Sequence, residues 1–190
     1  MKPGMAMIIT AGGMSRRHPP NKLLMCIEGR TVIEKTIGTF LSFPGKIVLV
    51  TGFEEEKIQH VLQNIGLPFE VAHNPGYEIG LSSSIRMGIT AAGECDYYGF
   101  CTGDKPFIRR STIRQLIQII QRRHPDILVP KFEDIPGHPV FFNHRFKSQL
   151  MALKGDEGGR QIVRQYHSKT EFVSVGDKGV ILDMDNYLDT

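Results

Sequence analysis

The chain has 190 residues and a formal net charge of +3, with 23 lysines and arginines against 20 aspartates and glutamates. This length favours a single domain, 1–190, that can bury a sizeable core without disulfides. The mild charge argues against a nucleic-acid-binding protein, which usually carries a clustered basic face. Three widely spaced cysteines show no metal-binding pattern, so we expect a reduced, cytoplasmic location, and no segment suits a membrane span.

The first predicted element is a buried strand, 7–10, that ends in small residues and two glycines. Gly12 and Gly13 allow the backbone to approach a ligand closely and to present N–H groups to it. Arg17 and Lys22 follow and would place positive charge beside phosphates. A plain turn is the structural alternative for the glycine pair, and neither a Walker loop nor a dinucleotide fingerprint is present.

Strands and helices then alternate along the chain, which predicts an α/β fold with a mostly parallel sheet and helices on both faces. Thr31 and Glu34 have the spacing of a capping box and begin the first helix. We predict strands at 46–51, 69–73, 97–102, 126–130 and 140–142, the last of them antiparallel, and at 180–186. We predict helices at 31–41, 54–64, 85–89 and onwards, 111–123, 145–153 and 159–166.

Polar residues follow the third and the central strand, where a ligand crevice is expected in an open α/β sheet. The third strand leads through Asn74 and Gly80 to three serines, Ser82 to Ser84, at a helix N-terminus that favours anions. The central strand ends at Asp104, whose carboxylate suits Mg²⁺. Helix capping for the serines and turn capping for the aspartate are the structural alternatives. We expect the Gly12 loop, the serines and Asp104 to converge.

The last third of the chain carries three further polar motifs. Prolines on both sides of Gly137 and His138 fix a loop path, although a lone histidine is more often structural. Asp156 and Arg160 flank a glycine-rich turn and suit a capping or ion-pair arrangement as well as contact with a substrate. Asp183 and Asp185, in the final predicted strand, would share one face.

In this order the motifs resemble those of the molybdenum cofactor nucleotidyltransferases, over nearly the whole chain. The motifs are the Gly13-x-Ser15-x-Arg17 loop running to Lys22, Asn74-Pro75, Gly80 to Ser84, Gly103-Asp104-x-Pro106, Gly137-His138-Pro139, Gly155-Asp156 with Arg160, and Asp183-x-Asp185. The chain departs from the family pattern at His18-Pro19, usually Met-Gly, at Gly159, usually alanine, and at Asn186-Tyr187, usually Thr-Pro.

The resemblance implies a three-layer Rossmann-like nucleotidyltransferase fold and Mg²⁺-dependent transfer of CMP from CTP to the phosphate of molybdopterin, with release of pyrophosphate. It implies Lys22, Arg17 and Asp104 as catalytic residues and Asp104 and Asp185 as metal ligands, with Asp183 as the alternative to Asp185. The nucleotide would contact Thr10, Ala11, Gly12, Gly13, Ser15, Asn74, Gly80, Ser82, Ser83 and Ser84. The pterin substrate would contact Gly137, His138, Pro139, Asp156 and Arg160.

Three alternatives remain open from the sequence. Thr10-Ala11-Gly12-Gly13 mixes the guanylyl and cytidylyl signatures, so GTP competes with CTP. Gly137-His138-Pro139 and the motif from Gly155 to Arg160 favour CTP. Other relatives transfer nucleotides to other small-molecule phosphates. A protein of a different class, a non-catalytic carrier of the cofactor for a molybdenum hydroxylase, would not require two aspartates at the ends of strands.

Overall fold

A computed structural model describes residues 4–13, 21–63, 65–66 and 68–188. The strands are β1 (Met5–Thr10), β2 (Cys26–Ile27), β3 (Arg30–Thr31), β4 (Lys46–Thr51), β5 (Glu70–His73), β6 (Tyr97–Thr102), β7 (Ile127–Phe132), β8 (Ile135–Pro136), β9 (Val140–Asn143) and β10 (Thr170–Ser174). The helices are α1 (Val32–Thr39), α2 (Glu55–Leu62), α3 (Leu81–Ala92), α4 (Arg110–Arg123), α5 (Lys147–Met151), α6 (Gly159–Gln165) and α7 (Met184–Leu188).

Over the described residues the main sheet has the order β10-β7-β9-β6-β1-β4-β5, with β8 paired to β7. β1 runs parallel to its neighbours β4 and β6, and β5 extends this parallel half. β9 is antiparallel to both β6 and β7, as the sequence predicts. The carboxyl ends of β1, β4, β5 and β6 therefore meet along one edge of the sheet.

The two faces of the sheet bury two separate apolar clusters, because successive strand side chains point to opposite sides. Met7 and Ile9 of β1 pack with α1, α2 and α4, whereas Ile8 packs with α3, α5 and α6. This arrangement confirms the predicted mostly parallel sheet with helices on both faces. None of the helices in the described ranges has the length and apolar character that a bilayer crossing requires.

A local sequence signal explains the start of α1. The Thr31 side chain accepts a hydrogen bond from the Glu34 N–H at the start of α1. In turn, the Glu34 carboxylate accepts from the Thr31 N–H at 2.7 Å, which confirms the predicted capping box. The edge strand β10 was not predicted. Its residues are all at least partly exposed, so it lacks the buried apolar run that marks the central strands.

The prediction of a final strand at 180–186 is wrong. Lys178–Val180 forms a 3-10 turn, and Met184 begins α7. The Oδ1 atom of Asp183 accepts a hydrogen bond from the Asn186 N–H at 2.9 Å, which is the arrangement of a helix N-cap. Because Asp183 starts a helix, the strand-based expectation that Asp183 and Asp185 share one sheet face does not hold.

Candidate active site

The predicted site residues gather at the carboxyl edge of the parallel half of the sheet. Thr10 lies opposite Thr102 in the β1–β6 register, and the Gly103 N–H donates to the Thr10 carbonyl at 2.9 Å. A methyl group built on Gly12 would lie 3.5 Å from the Ser84 hydroxyl oxygen. The Gly12 loop is therefore adjacent both to the loop after β6 and to the first turn of α3, as the sequence predicts.

Lys22 connects two carboxylates that are distant in the chain. Its Nζ atom lies 2.7 Å from Oδ2 of Asp104 and 3.0 Å from Oδ1 of Asp185. Asp104 follows β6, whereas Asp185 lies in the first turn of α7. The three side chains are each largely shielded from solvent, so their charges interact more strongly than surface charges do.

This environment shifts the pKa values of Lys22 and Asp104, the closer of the two ion pairs. Burial alone would lower the pKa of Lys22, but Asp104 and Asp185 outweigh it and raise that pKa above its ordinary value. Burial would likewise raise the pKa of Asp104, yet Lys22 and the Thr102 hydroxyl hold it below the ordinary range. Thr102 donates to Oδ1 of Asp104 at 2.5 Å. Asp104 is thus kept ionised.

Helix α1 fixes the backbone on both sides of Asp104. The Thr36 hydroxyl donates to the Gly103 carbonyl at 2.9 Å, and the Thr39 hydroxyl donates to the Ile108 carbonyl at 3.2 Å. Both threonines are buried. The loop that carries the carboxylate is therefore held in place before any ligand binds. Sequence reasoning missed Thr36 and Thr39, because their helical spacing shows only that they face the core.

The oxygen donors of this cluster fit a magnesium ion. Asp104 and Asp185 approach the same ammonium group, so their carboxylates are near enough to each other to share one small cation. Magnesium is commonly held by one or two carboxylates together with substrate phosphates and waters. Within the described ranges no group of three or more acidic, histidine or cysteine side chains is arranged to hold a metal. Asp183 is engaged elsewhere, with Lys105 at 3.4 Å.

The serines, Ser82 to Ser84, lie in the first turn of α3, and Asn74 is hydrogen-bonded to two of them. The Asn74 side chain donates to the hydroxyls of Ser83 and Ser84 at 2.9 and 3.0 Å and accepts from the Gly76 N–H. Ser82 is completely buried, and its hydroxyl has no hydrogen-bond partner in the described part of the chain. Asn74 therefore holds the turn that faces Gly12.

A close backbone approach joins this turn to the glycine-rich loop before α6. Gly80 has a φ of 115°, and a methyl group there would come within 2.6 Å of Oδ1 of Asp156 and within 2.5 Å of the Gly155 carbonyl. Only glycine fits both the conformation and the space. The Ser82 N–H, in the first turn of α3, donates to the Gly155 carbonyl at 3.0 Å. This N–H is therefore not available to bind an anion.

Asp156 and Arg160 lie at this edge without contacting each other. Both are exposed, and among the described residues no ion pair joins them. Within the described ranges, neither the predicted ion pair nor a side-chain cap of α6 is formed. Asp156 lies next to Gly80, at the N-terminus of α3.

The Gly137-His138-Pro139 segment packs against the residues before α7. The His138 N–H donates to the Val180 carbonyl at 2.8 Å, and a methyl group on Gly137 would overlap that carbonyl at 2.4 Å. The His138–Pro139 peptide bond is cis. Nδ1 of His138 lies 3.3 Å from the Phe100 carbonyl oxygen, and burial together with Lys105 lowers the pKa of this imidazole. A neutral ring that donates from Nδ1 leaves Nε2 as an acceptor.

Two predicted residues, Ser15 and Arg17, lie outside the described residues. A residue that the sequence reasoning passed over, Lys105, is buried directly after Asp104. The sequence gives no sign of this burial, because a lysine in a loop between Asp104 and Pro106 is usually exposed.

Comparison with known proteins adds a family match. The profile of the MobA-like NTP transferase domain matches residues 7–170. The chain is 26% identical over 94% of its length to the Escherichia coli molybdenum cofactor cytidylyltransferase, covering 89% of that protein. It is 24% identical to a molybdenum cofactor guanylyltransferase of Desulfosudis oleivorans, with 90% and 80% of the two chains covered. A solved nucleotidyl transferase of Methanothermobacter superposes with a TM-score of 0.79 at 21% identity, covering 98% and 95%.

Proposed function

Because the chain belongs to the MobA-like NTP transferase domain family, we propose that it transfers CMP from CTP to the phosphate of molybdopterin. The products would be molybdopterin cytosine dinucleotide and pyrophosphate. The observation that carries the proposal is the cluster of Lys22 with Asp104 and Asp185 beside the glycine loop that follows β1. Fixed charges at this edge of the sheet would suit the reaction of a nucleoside triphosphate with an incoming phosphate.

The reaction needs no covalent enzyme intermediate. An oxygen of the acceptor phosphate attacks the α-phosphorus of the nucleotide, and the bond from that phosphorus to the oxygen bridging to the β-phosphate breaks. Pyrophosphate carries away the bonding electrons. Both reactants are anions, so positioning and charge stabilisation supply most of the catalysis.

Each residue then has a defined task. The N–H groups of Gly12 and Gly13 would contact phosphate oxygens, and Lys22 would stabilise charge on the α-phosphate and on the departing pyrophosphate. Arg17 is proposed for the β- and γ-phosphates. Asp104 and Asp185 would hold Mg²⁺, which when bound neutralises phosphate charge and orients the reactants. Thr102, Thr36 and Thr39 keep Asp104 in position without touching the substrate.

The preference for CTP over GTP rests on the later motifs. Gly137-His138-Pro139 and the motif from Gly155 to Arg160 resemble the cytidylyl branch, and Thr10 belongs to the cytidylyl signature. Gly12 belongs to the guanylyl signature. A methyl group at Gly12 would make only ordinary contacts, at 3.5 Å, with Gly52, Thr51 and Ser84, so the fold itself does not require glycine there. Guanylyl transfer is therefore the second candidate.

The first test is a titration of the intact protein with CTP and with GTP, each with magnesium, followed by a pyrophosphate-release assay with molybdopterin. Tighter binding of CTP and pyrophosphate release that depends on molybdopterin would support the proposal. Tighter binding of GTP would move the protein to guanylyl transfer. Persistent binding of nucleotide and cofactor without pyrophosphate would instead favour a carrier that serves a molybdenum hydroxylase.

A further inference from the structure

Lys105 is a buried cation with few partners. The residue is 6% exposed, and in the described part of the chain its only hydrogen-bond or ion-pair partner is Asp183, whose Oδ2 atom lies 3.4 Å from the ammonium. A lysine ammonium carries three donors. A single long contact leaves at least two of them without an acceptor among the described residues, although burying a charge is costly unless it is paired and hydrogen-bonded.

The Asp183 carboxylate cannot bind the ammonium with both oxygens without losing its hydrogen bond to the backbone of α7. Its Oδ1 atom caps α7 by accepting from the Asn186 N–H at 2.9 Å, so Oδ2 is the atom that faces Lys105. Asp183 is also the more exposed partner, with 27% of its side chain accessible against 8% for Lys105. Asp183 is therefore the outer member of the pair and Lys105 the inner member.

Lys105 lies near His138, whose segment is on the other flank of β6 from the glycine loop. The glycine loop follows β1, on one flank of β6, while His138 contacts the carbonyl of Phe100 in β6 and leads into β9 on the other flank. Lys105 and Asp183 both lie close enough to His138 to alter its pKa. In the proposed reaction the acceptor phosphate must approach the α-phosphorus from the side opposite the leaving pyrophosphate.

We propose that Lys105 binds the phosphate monoester of the acceptor substrate, and so positions the attacking oxygen beside Asp104. An ammonium group with spare donors suits a phosphate as a compact point charge. Asp183 holds the ammonium in place before the acceptor arrives. This inference rests on the proposed function, and it adds to it a residue that selects acceptors bearing a terminal phosphate.

The experiment replaces the ammonium by an apolar group of similar length, Lys105→Met. We expect the KM for molybdopterin to rise by about 10- to 100-fold, the range for loss of a charged hydrogen bond, while the KM for CTP changes by less than about twofold. Direct binding of molybdopterin by equilibrium dialysis without nucleotide should weaken by a similar factor. The matched control is Lys169→Met, which removes an exposed lysine over the Tyr166 ring and should leave both KM values unchanged.

A merely structural role for the Lys105–Asp183 pair predicts a different result. In that case Lys105→Met would lower thermal stability and affect both substrates alike, which would overturn the inference. If the single variant does not fold, Lys105→Met combined with Asp183→Asn removes both charges, and unchanged molybdopterin binding in that double variant would also overturn it. Wild-type protein that releases no pyrophosphate refutes the proposed function itself, and the inference falls with it. Active wild-type protein with an unchanged KM in the variant refutes only the inference.

Discussion

Lys22 and Asp104 are 82 residues apart in the chain, yet the Lys22 ammonium donates to the Asp104 carboxylate at 2.7 Å. This contact joins the segment after the glycine loop to the end of the central strand β6. It also places a cation and a carboxylate together at the carboxyl edge of the parallel strands.

Removal of the Asp104 carboxylate should abolish turnover while leaving the fold intact. In Asp104→Ala, Lys22 keeps its contact with Asp185, so the cluster retains one ion pair. The proposed metal loses a ligand, and we expect at least about a 100-fold fall in kcat, which is the scale for loss of one electrostatic catalytic group. Pyrophosphate release with magnesium, CTP and molybdopterin measures this. The control is Asp134→Ala, which removes a fully exposed carboxylate. Wild-type rates in Asp104→Ala would exclude the metal role.

Lys22→Met should destabilise the protein in a pH-dependent way. The folded-state pKa of Asp104 lies below its unfolded value, so this carboxylate stabilises the fold above the unfolded pKa and the contribution is lost as the pH falls through the folded pKa. Without Lys22, burial would raise the pKa of Asp104. We expect the variant to be less stable by about 3 kcal/mol at pH 7. The difference should shrink below about pH 4, where unfolded aspartates become protonated.

Urea denaturation of both proteins at pH 7 and pH 3 provides the measurement. Lys57→Met is the matched control, because Lys57 is 65% exposed and pairs with Glu54 on the surface. Its free energy of unfolding should differ from wild type by less than about 1 kcal/mol at either pH. A Lys22→Met deficit that is equal at pH 7 and pH 3 would show that lost packing, and not the carboxylates, accounts for the instability.

Much of the fold and part of the site could be predicted from the sequence, because those parts depend on local patterns. The buried runs of β1, β4 and β6 and the Thr31 capping box follow from residue order alone. The meeting of Gly12, the serine turn and the Asp104 loop then follows from parallel topology, since parallel strands bring their carboxyl ends to one edge.

The parts that could not be predicted depend on contacts between distant segments. Asp183 looks like the end of a strand until its carboxylate is seen to cap α7. Lys105 is indistinguishable from a surface lysine until Asp183 is placed beside it. The close approach of Gly80 to Gly155 brings the loop that holds Asp156 against the first turn of α3, which carries the three serines. The residue spacing within each motif does not predict this contact.

Asn74→Ala should loosen the serine turn and weaken nucleotide binding. Asn74 is 3% exposed and makes three hydrogen bonds that join Gly76, Ser83 and Ser84. Loss of such a buried hub leaves partners unsatisfied and should cost about 1–3 kcal/mol of stability. We also expect the Kd for magnesium–CTP to rise, as followed by titration. The exposed amide variant Gln59→Ala serves as control, and unchanged CTP affinity in Asn74→Ala would separate this turn from the nucleotide site.

Gly12→Ala should strengthen the preference for CTP over GTP. The added methyl group makes contacts of 3.5 Å with Gly52, Thr51 and Ser84, which are ordinary van der Waals distances, so the variant should fold normally. It also completes the Thr-Ala-Ala-Gly signature typical of cytidylyl transfer and reduces the space beside the serine turn. One methyl group in a binding pocket discriminates by about 10- to 200-fold at most. The ratio of kcat/KM for CTP to that for GTP should rise within this range. Gly176→Ala, which places its methyl group in open space, is the control. A ratio that stays constant or falls in Gly12→Ala would mean that the Gly12 loop does not select the base.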